Sequence, residues 1–157
     1  MAGVALLVGD NIINKSGEII DLKSEQYSGK IIGLYFAAHW CPPCREFTPL
    51  LAEFYNKYHE SKKLEIIFIS SDRDIESYRG YYDNMPWLSL EYKNREKSKE
   101  LTKTFRVTGI PALILLDGDT GEIICETARS KVQSDSNGRD FPWKSTGHSN
   151  KSVCVIF

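Results

Sequence analysis

The sequence predicts an α/β domain, a central mixed β-sheet with helices on both faces. Three observations carry that expectation. Two short apolar runs, Ile31-Ile32-Gly33-Leu34-Tyr35-Phe36 and Leu64-Glu65-Ile66-Ile67-Phe68-Ile69, are rich in β-branched and aromatic residues. That composition without polar alternation marks strands buried on both faces. Between them, Phe47, Leu50, Leu51, Phe54, Tyr55 and Tyr58 recur at the i, i+3, i+4, i+7 spacing of a helix with one apolar face. Later, Ala112 to Leu116 and Glu122 to Glu126 flank the turn Asp117-Gly118-Asp119-Thr120-Gly121, an antiparallel hairpin.

The elements follow in order. Ala2 to Val8 is apolar but short, lacks a basic leader and runs into Gly9-Asp10, so it reads as a helix turn or strand covering the sheet rather than a signal peptide. Asn11-Ile12-Ile13 and Glu18-Ile19-Ile20 flank the polar turn Asn14-Lys15-Ser16-Gly17, an N-terminal β-hairpin extension. Strand 31–36 leads to a helix over about 42–60 that holds Pro49, an internal proline that removes a helix hydrogen bond and favours a bend. Strand 64–69 precedes a helix over 74–83, capped by Asp72 or Asp74. Met85-Pro86-Trp87 breaks that helix, and a charged surface helix over 95–105 turns Leu101 and Phe105 inward. The hairpin strands follow, then a short helix near 128–134, giving the order β-α-β-α-β-β-α after the extension. Residues 1–143 form the domain, and 144–157, rich in Ser, Lys, Asn and Gly, read as a flexible tail.

At 157 residues the chain can bury a single core. Its 20 Lys and Arg balance 21 Asp and Glu, a formal charge of −1 that gives no support to nucleic-acid binding or to a charged membrane surface. No stretch has transmembrane length.

The first strand runs into Ala37-Ala38-His39-Trp40-Cys41-Pro42-Pro43-Cys44. Cys41 thus falls at a strand-to-helix junction, with Pro42 near the first helical position, where a missing N–H does least harm. Unpaired amides and partial positive charge at a helix N-terminus favour thiolate over thiol. Cys44, three residues on, is close enough to close a small disulfide ring. A zinc site would need two further ligands, and neither a second cysteine pair nor a spaced histidine pair is present among His39, His59 and His148. The pair therefore reads as a redox dithiol: Cys41 the exposed nucleophile, Cys44 the shielded resolving thiol. Such chemistry needs no prosthetic group, and it suits a reducing compartment, cytoplasmic or nuclear. His39 reads as an exposed neighbour rather than a base, and Cys125 as inert packing in a strand.

Trp40-Cys41-Pro42-Pro43-Cys44, Pro49 and Gly109-Ile110-Pro111 together resemble the thioredoxin fold, and Met85-Pro86-Trp87-Leu88 with Phe141-Pro142-Trp143 narrows the resemblance to the nucleoredoxin and tryparedoxin group. The resemblance spans about residues 11–143. It implies a cis-proline at Pro111 facing the sulfurs, and a protein-disulfide reductase that serves redox signalling or peroxide defence. A redox-gated binding module, or a tryparedoxin relaying electrons from a small dithiol to a peroxidase, are the alternatives. Tyr35 stands where thioredoxins usually carry a buried Asp, as the tryparedoxin-like group tends to show. Ser70-Ser71-Asp72-Arg73 looks like nucleoredoxin, where tryparedoxins tend to carry Trp-Asp. Contact with substrate is expected from Trp40, Pro42, Pro43, Ile110, Pro111, Ser71 and Asp72, with Asp72 serving either as a proton relay to Cys44 or as a helix cap. Arg129 matches a substrate-binding position of tryparedoxins. The expected partners are disulfide-containing proteins and an upstream thiol reductant, either a reductase or a small dithiol. Cys154-Val155-Ile156-Phe157 forms a C-a-a-X box, so Cys154 is also a candidate prenyl acceptor that would give weak membrane association.

Overall fold

The computed structural model describes residues 3–144 and 154–155. Its strands are β1 (Ile12–Ile13), β2 (Ile31–Ala37), β3 (Leu64–Ser70), β4 (Leu88–Leu90), β5 (Gly109–Ile110), β6 (Ala112–Asp117), β7 (Ile123–Cys125) and β8 (Cys154–Val155). Its helices are α1 (Gly3–Val8), α2 (Pro42–Tyr58), α3 (Ile75–Tyr82), α4 (Arg95–Thr104) and α5 (Ala128–Ser134). Six strands form one sheet in the order β1-β4-β3-β2-β6-β7, parallel through β4-β3-β2 and antiparallel at both edges. The mixed sheet is the one expected.

Burial explains the centre. β3 is buried at every position and β2 at all but its first, so neither alternates. Tyr35 and Phe68 pair across the two strands and point to one face, where Tyr35 meets Phe47 of α2 at 5.9 Å and Phe68 stacks on Tyr78 of α3 at 5.8 Å. Trp87, 1 % exposed, closes this aromatic layer 5.8 Å from Tyr35. α5 packs beside α2, while α1 packs with α4.

Two elements depart from expectation. β4 falls where only a break was read: Leu-Ser-Leu is too short to show a period, and its middle residue is polar. Ser89 is nevertheless fully buried, its hydroxyl 2.7 Å from the Tyr78 hydroxyl and 2.8 Å from the Leu90 carbonyl. In the N-terminal hairpin, the arms touch at an Ile13–Ile19 bridge, and β1 then joins the sheet along β4. After α5, Asp135 accepts hydrogen bonds from the Asp140 amide and the Trp143 indole, seating Trp143 on Phe54 of α2 at 5.6 Å. Of the expected tail, Lys144, Cys154 and Val155 are described, and the last two form β8 against β5.

Candidate active site

β2 and β3 run parallel and end side by side, Ala37 opposite Ser70, so the loops that follow them share one end of the sheet. From Ala37 the chain turns, the Cys41 amide bonding the Ala38 carbonyl, and Cys41 becomes the cap of α2. Pro42 and Pro43 have no N–H, so the Cys44 amide is the first in the helix that can point back; it donates to the Cys41 sulfur at 3.3 Å. The two thiols therefore share the helix N-terminus. Burial, then the hydrogen bond to Cys41, pushes the Cys44 thiol far above its ordinary range, so it remains protonated until called on.

Both sulfurs are buried, each 0 % exposed. Shielding of Cys44 matches expectation; exposure of Cys41 does not. The physical reason lies on the other side of Cys41. Its sulfur is 3.5 Å from the Ile110 carbonyl of β5, next to the cis Ile110–Pro111 bond. β8 pairs antiparallel with β5, placing Cys154 opposite Ile110, the residue whose carbonyl the Cys41 sulfur meets. Pro111 is buried while Pro42 remains exposed and Pro43 half-buried.

The 70–73 loop forms the flank. The Trp40 indole donates to the Ser71 carbonyl at 3.0 Å, and the Arg73 guanidinium lies 4.7 Å over its ring. Asp72 is not a cap; Asp74 caps α3 through the Ser77 amide. Asp72 is 4 % exposed and accepts from the His39 amide at 2.7 Å and the Ser70 hydroxyl at 2.7 Å, tying this loop to the turn before Cys41. A cleft of about 710 Å³ opens beside it, lined by Trp40, Asp72, Arg73, Tyr92 and Arg95 among others. His39 is exposed, and Cys125 is buried with its sulfur 3.7 Å from the Thr127 hydroxyl.

Arg129 is 8 % exposed, and burial lowers its ionisation against the opposing pull of Cys44, Tyr35, Cys41 and Cys154. Two further groups escaped the sequence reading. The Tyr35 hydroxyl meets Thr48 Oγ1 at 2.6 Å, Thr48 meets the Tyr81 hydroxyl at 2.6 Å, and Thr48 Oγ1 donates to the Cys44 carbonyl at 2.9 Å. The one signal for Thr48 is its i+4 spacing from Cys44, which allows that bond from a helix interior. Tyr81 had none. Among the described residues no cluster of His, Cys, Asp and Glu could hold a metal, and no helix is long and apolar enough to cross a membrane.

A sequence model of the thioredoxin-like family matches residues 29–123. The tryparedoxin of Trypanosoma brucei brucei is 46 % identical over 145 residues, covering 91 % of this chain and 99 % of that protein. Nucleoredoxin of Mus musculus is 39 % identical over 138 residues, 87 % of this chain, yet the chain spans only 31 % of that protein's length. Tryparedoxin II of C. fasciculata superposes with a TM-score of 0.87 at 38 % identity, covering 91 % of this chain and 94 % of that one. Tryparedoxin II complexed with glutathionylspermidine gives 0.83 at 38 % identity, with 87 % and 94 % covered.

Proposed function

Because the chain belongs to the thioredoxin-like family, among the tryparedoxins and nucleoredoxins, we propose that its thiol–disulfide oxidoreductase activity is directed at protein disulfides through Cys41 and Cys44. The chain is a thioredoxin-like oxidoreductase, and the observation that carries the finer reading is the dithiol's setting. Cys41 caps α2 with the Cys44 amide 3.3 Å from its sulfur, and the same sulfur lies 3.5 Å from the edge strand β5. An extended peptide that adds to β5 brings its own backbone alongside Cys41.

The reaction balances as two exchanges. The Cys41 thiolate attacks one sulfur of the partner's disulfide; the Cys41–partner bond forms, and the other partner sulfur leaves as thiolate and takes a proton. Cys44 then gives up its proton and attacks the Cys41 sulfur, so the Cys41–Cys44 disulfide forms and the reduced partner departs. An upstream thiol pair returns the dithiol to its reduced form. We take that reductant to be a small thiol compound, supported by the tryparedoxin solved with glutathionylspermidine and by the cleft beside Trp40. Cytosol or nucleus, where thiols are kept reduced, suits an enzyme that must be recharged this way, and redox signalling or peroxide defence suits its products.

The experiment is turnover of insulin disulfides with a dithiol as electron source. Wild type is expected to turn over repeatedly, and Cys41→Ser to show none. A protein that binds partners in a redox-dependent manner without multiple turnovers would instead be the gated binding module.

A further inference from the structure

Cys41 has sulfur neighbours on two sides, and the function above uses only one of them. On the side away from Cys44, β8 lies along β5 in antiparallel register, Gly109 opposite Val155 and Ile110 opposite Cys154. That is the edge where an incoming peptide strand would lie. Cys154 is half-buried, packs against the core cluster, and stands where a substrate's cysteine would be delivered. Cys41 is 0 % exposed, and β8 holds the β5 edge at Ile110, whose carbonyl the Cys41 sulfur meets, so a peptide that adds to β5 must displace this strand.

We propose that β8 is an internal pseudosubstrate and that Cys154 is a third redox cysteine, which exchanges into the Cys41–Cys44 disulfide to park the oxidised enzyme as a Cys41–Cys154 disulfide. This rests on the dithiol reading above. The exchange needs no outside oxidant. Cys154 loses its proton and its thiolate attacks the Cys41 sulfur; the Cys41–Cys154 bond forms, the Cys41–Cys44 bond breaks, and Cys44 leaves as a thiolate that takes up a proton. The disulfide count is unchanged. The parked form returns by the reverse attack of Cys44, or is opened by the upstream thiol, which then frees Cys154 and Cys41 together.

Electrostatics fit the reduced state as the resting state. Burial, then hydrogen bonding and proximity to Cys41, pushes the Cys154 thiol up to about 11, with Arg129 opposing. In the reduced enzyme Cys154 is therefore held as a thiol, not as a competing nucleophile. Both contributions from Cys41 end when that sulfur enters a disulfide, which is when exchange becomes useful.

Tethering favours the internal reaction. A strand carried on the same chain meets Cys41 in an intramolecular step, so a dilute protein disulfide must compete with it for the β5 edge. If half of the enzyme sits in the parked form during turnover, the productive fraction falls about twofold.

The test uses the full chain made in a bacterial host, with hydroxyethyl disulfide as the oxidant. In Cys44→Ser, the first attack leaves a mercaptoethanol adduct on Cys41. The proposal expects Cys154 to displace it, so that non-reducing digestion and mass spectrometry find a Cys41–Cys154 cross-linked peptide and free mercaptoethanol. An adduct that persists on Cys41 with Cys154 still a thiol overturns the proposal. In parallel, Cys154→Ser should reduce insulin about twofold faster than wild type. A variant that loses turnover would overturn the parked state, and so would a prenyl thioether on Cys154 in protein from its native cells. Failure of wild type to reduce insulin strikes the dithiol reading itself, whereas the adduct experiment addresses Cys154 alone.

Discussion

The hydroxyl of Tyr35 lies 2.6 Å from Thr48 Oγ1, so the strand that leads into the active site is tied to the helix that leaves it. Thr48 also bonds the Cys44 carbonyl and the Tyr81 hydroxyl. Where thioredoxins usually carry a buried carboxylate, this chain has a neutral hydroxyl, and burial keeps Tyr35 protonated well above its ordinary range.

Tyr35→Phe removes one buried hydrogen bond and leaves the Thr48 bonds to Tyr81 and Cys44. The expected cost is about 1 kcal/mol, or roughly 2–4 °C in Tm for a chain of this size. Insulin turnover should change by less than the loss seen on removing a cysteine, because the Tyr35 hydroxyl bonds Thr48 rather than a sulfur. Thermal unfolding checks the first part; an unchanged Tm would show that the Tyr35–Thr48 bond holds nothing.

Asp72 connects the two loops at the end of the sheet. Asp72→Ala leaves the His39 amide and Ser70 hydroxyl without their acceptor, at a cost of about 1.5–3 kcal/mol for hydrogen bonds to a charged group. The turn before Cys41 loosens, and kcat/KM for a protein disulfide should fall along with Tm. Asp74→Ala removes the cap of α3 instead, and should lower Tm by less while sparing kcat/KM. Equal kinetic losses in the two variants would contradict the assignment.

Trp40 is a half-buried ring held by Ser71 and Arg73 beside the cleft. Trp40→Ala should act mainly on partner binding, raising the KM of a protein disulfide by about thirtyfold if Trp40 is an anchor worth roughly 2 kcal/mol. Reduction of hydroxyethyl disulfide should change far less. Equal losses on both substrates would move Trp40 from recognition to support of the dithiol.

Glu65 gives the pH dependence of stability. Burial raises its carboxyl above the usual 4.5, partly offset by bonds from the Ile66 amide and the Tyr55 hydroxyl. A raised folded-state value means that the native protein holds its proton more tightly than the unfolded chain. The associated stability is complete below the unfolded value and is lost as pH rises through the folded one. Glu65→Gln should therefore be more stable than wild type at neutral pH, with the difference shrinking as pH falls through the raised folded-state value and vanishing below the usual 4.5. Urea unfolding at pH 4 and pH 7 checks this; a variant less stable at pH 7 would reverse the sign.

The central strands, the helix after the cysteines and the closing hairpin were legible because each carries its own period or composition. β2 and β3 announce themselves as unbroken apolar runs, and α2 as an apolar stripe beginning at a Cys-Pro-Pro-Cys junction. The cysteine spacing likewise announced the dithiol. Other features depend on meetings between distant segments. β4 is a strand only because β1 and β3 flank it, and Ser89 is tolerated in its middle only because Tyr78 supplies a partner. Asp72 and Asp74 were equivalent as caps in sequence; the approach of the His39 amide separates them. Cys154 illustrates the same limit. Its neighbours Val155 and Ile156 suggested a lipid acceptor, whereas its position opposite Ile110 and beside Cys41 depends on a pairing across more than forty residues.

The division of labour between Cys41 and Cys44 is tested most directly by trapping a disulfide-bonded peptide on the enzyme. Cys154 must be removed as well, since it can resolve the trap. The Cys44→Ser, Cys154→Ser double variant should hold the peptide as a stable mixed disulfide located at Cys41 by non-reducing mass spectrometry, while Cys41→Ser with Cys154→Ser should capture none. A peptide held on Cys44 in the variant that lacks Cys41 would contradict the assignment of Cys41 as nucleophile.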